Sequence, residues 1–156
     1  MQTSRGSTLK GVVTISLMVV NVVFWVPILL VVALAKLLIP LAAWRRWTSA
    51  LMIWIAQAWI SCNGAIFSLM GALRLEVDGV EGLDPRSWYL VLSNHQSWVD
   101  ILVLQKAFNR RIPFLKFFLK QELIWVPLLG LAWWALDFPF MKRQGGSSGP
   151  KDLERA

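Results

Sequence analysis

Lys10 and Lys36 bracket 25 residues without a charge, Gly11 to Ala35, and Arg46 and Arg74 bracket a second uncharged run, Trp47 to Leu73. Either run, wound as a helix, is long enough to span roughly 30 Å of hydrocarbon. The two lie close together, so they predict a helical hairpin at a membrane. Pro27 falls inside the first run, while Gln57, Asn63 and Gly64 make the second less uniformly apolar. Trp44, Trp47, Trp54 and Trp59 cluster around the connection and the second run, a placement that suits anchoring at the headgroup level. The whole chain is 56% hydrophobic and only 16% charged, against about 25% charged in soluble domains.

A cleaved leader is the alternative for the first run, because Arg5 and Lys10 precede it and Ala33-Leu34-Ala35 offers small residues. Its apolar core exceeds the usual ~7–15 residues and a second run follows at once, which favours a retained anchor. Charge does not orient the hairpin. Arg5 and Lys10 lie on one side of the first run, with Lys36, Arg45 and Arg46 on the other. Two crossings and a hairpin embedded in one leaflet both remain open.

Past the anchor the pattern becomes α/β. Leu73, Leu75 and Val77 alternate with Arg74, Glu76 and Asp78, predicting a half-exposed strand that ends at Asp78-Gly79. Glu81 to Ser87 reads as a loop, and Trp88 to Leu92 as a strand buried on both faces. A helix from about Ser97 to Phe108 follows, starting as a buried element, and then a strand over Ile112 to Phe117. Glu122 to Ala135 predicts a helix that begins near Pro127, and Phe138 to Met141 a short strand. From Gln144 a Gly/Ser-rich stretch predicts a flexible tail, with Lys151 to Ala156 as the start of a further helix.

The chemistry concentrates in Asn94-His95-Gln96-Ser97-Trp98-Val99-Asp100, which holds the single histidine. His95 falls in a strand-to-helix turn and Asp100 in the first turn of the helix. An imidazole beside a carboxylate is the working part of a general base that activates a hydroxyl. Ser97-Trp98-Val99-Asp100 also fits a capping box, so Asp100 has a structural role open to it as well. The roles are compatible, since a carboxylate at a helix start can face back toward the loop.

This stretch resembles the first signature block, N-H-x4-D, of the glycerolipid acyltransferases, the lysophosphatidic acid acyltransferase family. Lys120-Gln121-Glu122-Leu123 with Pro127 and Gly130 is similar to that family's K-x-E-L…P-x-x-G stretch. Phe138-Pro139-Phe140-Met141-Lys142-Arg143 is similar to its second block, an apolar strand ending in Arg. The family's third block, F-P-E-G-T-R or a variant, has no counterpart, since Phe138-Pro139 is followed by Phe140. The expectation is therefore the N-terminal half of such an enzyme. Residues 1–72 would form the membrane anchor, 73–143 the first part of an open α/β acyltransferase sheet, and 144–156 the tail.

The resemblance implies transfer of an acyl group from acyl-CoA or acyl-carrier protein to a lysophospholipid hydroxyl, with lysophosphatidic acid the leading acceptor. It implies His95 as base, Asp100 as its orienting carboxylate, and Arg143 with Lys120 on the acceptor phosphate. Asn94, Ser97 and Trp98 would shape the turn, while Glu122, Pro127 and Gly130 would be structural. No cofactor beyond the acyl donor is expected. The catalytic part would sit on the cytoplasmic side of the membrane, the inner membrane in a bacterium.

Taken as residues alone, Lys142 and Arg143 could be solvated charges, and Lys120, beside Phe117, Phe118 and Leu119, could snorkel at a lipid surface. The net charge of +7 is spread among Trp, Phe and Leu, which suits anionic lipid at about 1 kcal/mol per cation near the surface. No nucleic-acid signature accompanies it. Cys62 is the single cysteine, and with one histidine no metal site can be drawn. A truncated, non-catalytic membrane protein that holds anionic lipid is the rival reading.

Overall fold

The computed structural model describes residues 3–71, 75–94 and 96–142. Two long helices dominate it, α1 (Thr3–Leu38) and α2 (Ala42–Met70), folded back on each other through residues 39–41. Both are long and apolar enough to cross a membrane. Helix α1 runs through Pro27, whose missing N–H costs the interior one backbone bond. Helix α2 ends at Gly71, in the left-handed region at φ 59, where its N–H caps the carbonyls of Phe67 and Ser68.

The seam between these helices is apolar at the turn end and polar further along. Val26, Leu29 and Ala33 of α1 meet Met52, Ile55 and Ala56 of α2, all buried. Nearer the open end, Asn21 Nδ2 donates to Asn63 Oδ1 at 2.8 Å and to the Trp59 carbonyl at 3.2 Å. In lipid the hydrophobic effect does not drive helix association, so tight packing and such bonds carry it, each bond contributing about 0.6–2 kcal/mol. Trp44 Nε1 reaches back across the turn to the Ala35 carbonyl at 3.0 Å.

Much of the described chain from Trp98 onward lies along the flank of this hairpin. Helix α3 (Trp98–Phe108) packs on α2. Lys106 Nζ donates to Ser68 Oγ at 2.8 Å, while Asn109 Nδ2 donates to Ser61 Oγ at 2.9 Å and to the Gln57 carbonyl at 3.3 Å. A strand β1 (Leu119–Lys120) leads into a 3-10 helix (Gln121–Trp125), then α4 (Leu129–Ala135), then β2 (Phe140–Met141). The two strands pair in parallel, Leu119 opposite Phe140 and Lys120 opposite Met141, so the helical segment is a crossover in miniature. Leu119, Ala132, Ala135, Leu136 and Phe138 join the same buried cluster as α1 and α2. Lys36 and Asp137 face each other at 3.9 Å beside the hairpin turn.

Several expected elements differ. Residues 88–92 form no strand and pair with none among the described residues, and Trp88, Leu90 and Leu92 are 97%, 81% and 85% exposed. A strand needs a partner to take its N–H and C=O groups, and no such pairing is made here among the described residues. Residues 75–78 form no strand either, although the bend at Gly79 (φ 73) sits where the turn is expected. The strand expected over 112–117 is displaced to Leu119–Lys120, after a turn that buries Ile112.

The helix expected over 122–135 is split in two. Pro127 cannot donate to a preceding turn and Leu128 adopts φ 63, so the 3-10 helix stops and α4 starts afresh. Gly130 allows this sharp junction, because a Cβ there would collide with the Ile124 carbonyl. Helix α3 matches its expected span, but Trp98 and Val99 are exposed and the residues that follow are half-buried rather than core. Among the described residues the fold is mostly helical, with one parallel strand pair and no open sheet around it. The flexible tail expected over 144–156, and the boundary at 72–73, lie outside the described residues.

Candidate active site

Asp100 occupies the third position of α3, and its carboxylate turns back over the helix start. Oδ2 accepts the backbone N–H of Gln96 at 2.6 Å and of Ser97 at 2.7 Å. Ser97 Oγ stands 3.4 Å from Oδ1. The helix-capping role expected from Ser97-x-x-Asp100 is therefore present: Ser97 is extended, at φ −152 and ψ 165, and Asp100 closes the turn. A negative charge in the first turn is also favoured by the helix dipole. The same two bonds fix the path of the backbone immediately after position 95. His95 itself lies outside the described residues, as does Arg143.

The turn lies at the surface. Asn94, Gln96 and Ser97 are exposed, and Trp98 (65% exposed) and Val99 present apolar side chains beside them. An open groove of about 410 Å³ runs between the 88–93 segment and the 112–118 segment, floored by Leu104 and walled by Trp88, Leu90, Phe114 and Phe117. Its surface is mainly apolar, as an alkyl chain would require.

Lys120 is exposed at the end of β1, one residue before the 3-10 helix. Its register opposite Met141 sets it at the strand end that leads on to Lys142. Glu122 and Pro127 follow in the connection, and with Gly130 they build the crossover, the structural part assigned to that stretch.

Sequence reasoning missed the polar contacts that dock α3 on the hairpin. Gln57 reads only as a departure from uniform apolarity, and the sequence assigns no docking role to Lys106, Asn109, Ser61 or Ser68. The available signal was the set of polar or small residues Gln57, Ser61, Gly64 and Ser68, one helical face at a spacing of three to four. Gly64 belongs to it, with the Lys106 methylenes 3.6 Å from where its Cβ would be.

Comparison with known proteins bears on the same stretch. Residues 74–156 match the family described as Acyltransferase. Over 73 residues the chain is 36% identical to "1-acyl-sn-glycerol-3-phosphate acyltransferase alpha" of Mus musculus and, equally, of Homo sapiens and Bos taurus. These alignments take in 46% of this chain and 24% of each relative, so the match spans about a quarter of the curated relatives' length. No solved structure matches the chain. With more than half of its residues inside that match and the N-H-x4-D turn in place, the chain belongs to the Acyltransferase family.

Proposed function

We propose that this chain carries the catalytic turn of a membrane-bound acyltransferase that moves a fatty acyl group from a thioester donor to the hydroxyl of a lysophospholipid, lysophosphatidic acid first among acceptors. One observation carries the reading: the Asp100 carboxylate is folded back onto the two backbone N–H groups that directly follow position 95. The carboxylate is thus held beside the turn that bears the histidine.

In the reaction, the imidazole of His95 takes the proton from the acceptor hydroxyl as its oxygen attacks the thioester carbonyl. The new C–O bond forms, the C–S bond breaks, and the departing thiolate takes the proton back from the imidazolium. No covalent acyl-enzyme is needed. Asp100 orients the ring and stabilises its cationic form. Arg143 and Lys120 hold the acceptor phosphate, a guanidinium by its paired N–H groups and an ammonium as a point charge. The donor is acyl-CoA or acyl-carrier protein, and the apolar groove beside Trp88 and Phe114 suits the acyl chain.

We read residues 1–72 as the anchor and 73–143 as the first part of an acyltransferase domain of open α/β type, with 144–156 leading on from it. The contacts of α3 and of the segment ending α4 run along the hairpin, from Lys36 at its turn, which faces Asp137, to Ser68 near its open end. On α2 the stretch from Gln57 to Ser68 alone covers about 16 Å. A domain with solvated charges cannot lie beside the middle of a helix that crosses hydrocarbon. This flank contact therefore favours a hairpin embedded in one leaflet; the cytoplasmic surface is the side we propose for the catalytic part.

The test is acyl transfer to lysophosphatidic acid by the 156-residue chain and by a version extended with an F-P-E-G-T-R-type segment downstream. The extended protein transfers and its His95→Ala form does not. The short chain falls short by at least the 10²–10³ that one lost transition-state contact costs. Transfer that survives His95→Ala contradicts the proposal.

A further inference from the structure

A second cleft, of about 410 Å³, opens at the end of α3 remote from Asp100, between the 77–85 loop and the turn after the helix. Its walls are chemically divided. Val80, Leu83 and Pro85 make an apolar side, Glu81 adds a carboxylate, and Arg110 and Arg111 supply two guanidiniums. Both arginines are exposed, and neither pairs with a carboxylate among the described residues.

Arg110 is also held in the left-handed region, at φ 63. That conformation is costly for a residue with a Cβ, and a helix usually gives the position to glycine or asparagine. Asparagine is one residue too early here, with the Asn109 amide committed to Ser61 and Gln57. Strain retained at the lip of a charged cleft is the usual mark of a residue kept for its side chain.

We infer that this cleft binds the nucleotide end of a coenzyme A thioester, an inference that rests on the acyl-transfer reading above. The guanidiniums take the phosphates, where charge-assisted bonds are strongest. The apolar wall lies against the adenine ring. Glu81 accepts from a ribose hydroxyl or the exocyclic amine.

Reach agrees with this assignment. Asp100 and Phe108 are eight residues apart on α3, about 12 Å along its axis, and Arg110 follows two residues past the helix end. The pantetheine arm has the backbone length of some four extended residues, roughly 14 Å. A nucleotide in the cleft thus leaves the thioester at the Asn94–Asp100 turn. A carrier protein would offer a convex acidic surface and one phosphate, and would leave the apolar wall without a use.

Equilibrium binding to the full chain in detergent micelles tests this, with CoA, dephospho-CoA and 4′-phosphopantetheine as probes. Two variants serve: Arg111→Gln, and Arg110→Gly, which removes the guanidinium while relieving the strained backbone. The wild type binds CoA more tightly than dephospho-CoA, and 4′-phosphopantetheine least. Arg110→Gly melts no lower than the wild type yet binds CoA about tenfold more weakly, and Arg111→Gln does likewise. Equal CoA affinity in all three proteins, or no saturable CoA binding by the wild type, overturns the inference. So does unchanged CoA binding combined with lost binding to nanodiscs containing phosphatidic acid, which would reassign the cleft to lipid headgroups. Transfer that depends on His95 but CoA affinity that ignores the arginines would sink the cleft and spare the catalytic reading. The opposite pattern would do the reverse.

Discussion

The hairpin and the segment from residue 75 onward are built on opposite principles. In α1 and α2 nearly every backbone bond is local, and the buried polar side chains Asn21 and Asn63 satisfy each other across the seam. In the segment that follows, helix α3 is local too, but residues 88–94 and 114–118 belong to no helix or strand, and their backbone groups need neighbours from elsewhere. Two residues of β1 and two of β2 are the only ladder among the described residues. A helix pair can be completed by its own sequence. A sheet is completed only by strands that come to it, and Trp88, Leu90 and Leu92 stand exposed where such strands would lie.

The largest expected effect separates the two regions by their solvent. Membranes carrying the full chain, washed in 1 M salt where the Debye length is roughly 3 Å, retain it in the pellet, because buried apolar helices are indifferent to screening. Release into the supernatant would reduce the hairpin to an electrostatic attachment and remove the contrast. A smaller effect compares two leucines in detergent. Leu29→Ala opens a cavity in the shared core and costs about 2–5 kcal/mol of stability. Leu90→Ala, at an 81% exposed site, changes stability by less than about 0.5 kcal/mol. A large loss at Leu90 would show that the 88–94 segment is already packed, contrary to the comparison.

The same contrast explains what the sequence made legible. The hairpin could be read from its uncharged runs, and α3 from Ser97 and Asp100, because hydrophobic length and capping are properties of neighbouring residues. Pro127 is expected in the first turn of its helix and instead precedes it, since α4 starts at Leu129 after the positive φ of Leu128, at a junction packed on Ile124. Trp88–Leu92 showed the composition of a buried strand without the partner that would bury it. Asp100 was legible in its capping role. Lys120 was placed at the strand end, opposite Met141, only by the parallel pairing, which no local pattern announces. The docking of Lys106 and Asn109 on α2 was invisible for the same reason, as was the cleft at Arg110.

Asp100 is where the account is most exposed, because one side chain is asked to serve both helix and histidine. Asp100→Asn retains an oxygen that can accept from Gln96 and Ser97 but removes the negative charge. Melting temperature and acyl transfer, measured on the same preparation of the extended protein, separate the two duties. The account predicts a stability loss of about 1 kcal/mol or less together with activity reduced by orders of magnitude, by about 10⁴ where the corresponding change has been made in a Ser-His-Asp triad. Near-normal transfer by the Asp100→Asn protein would contradict it and leave Asp100 as a helix cap alone.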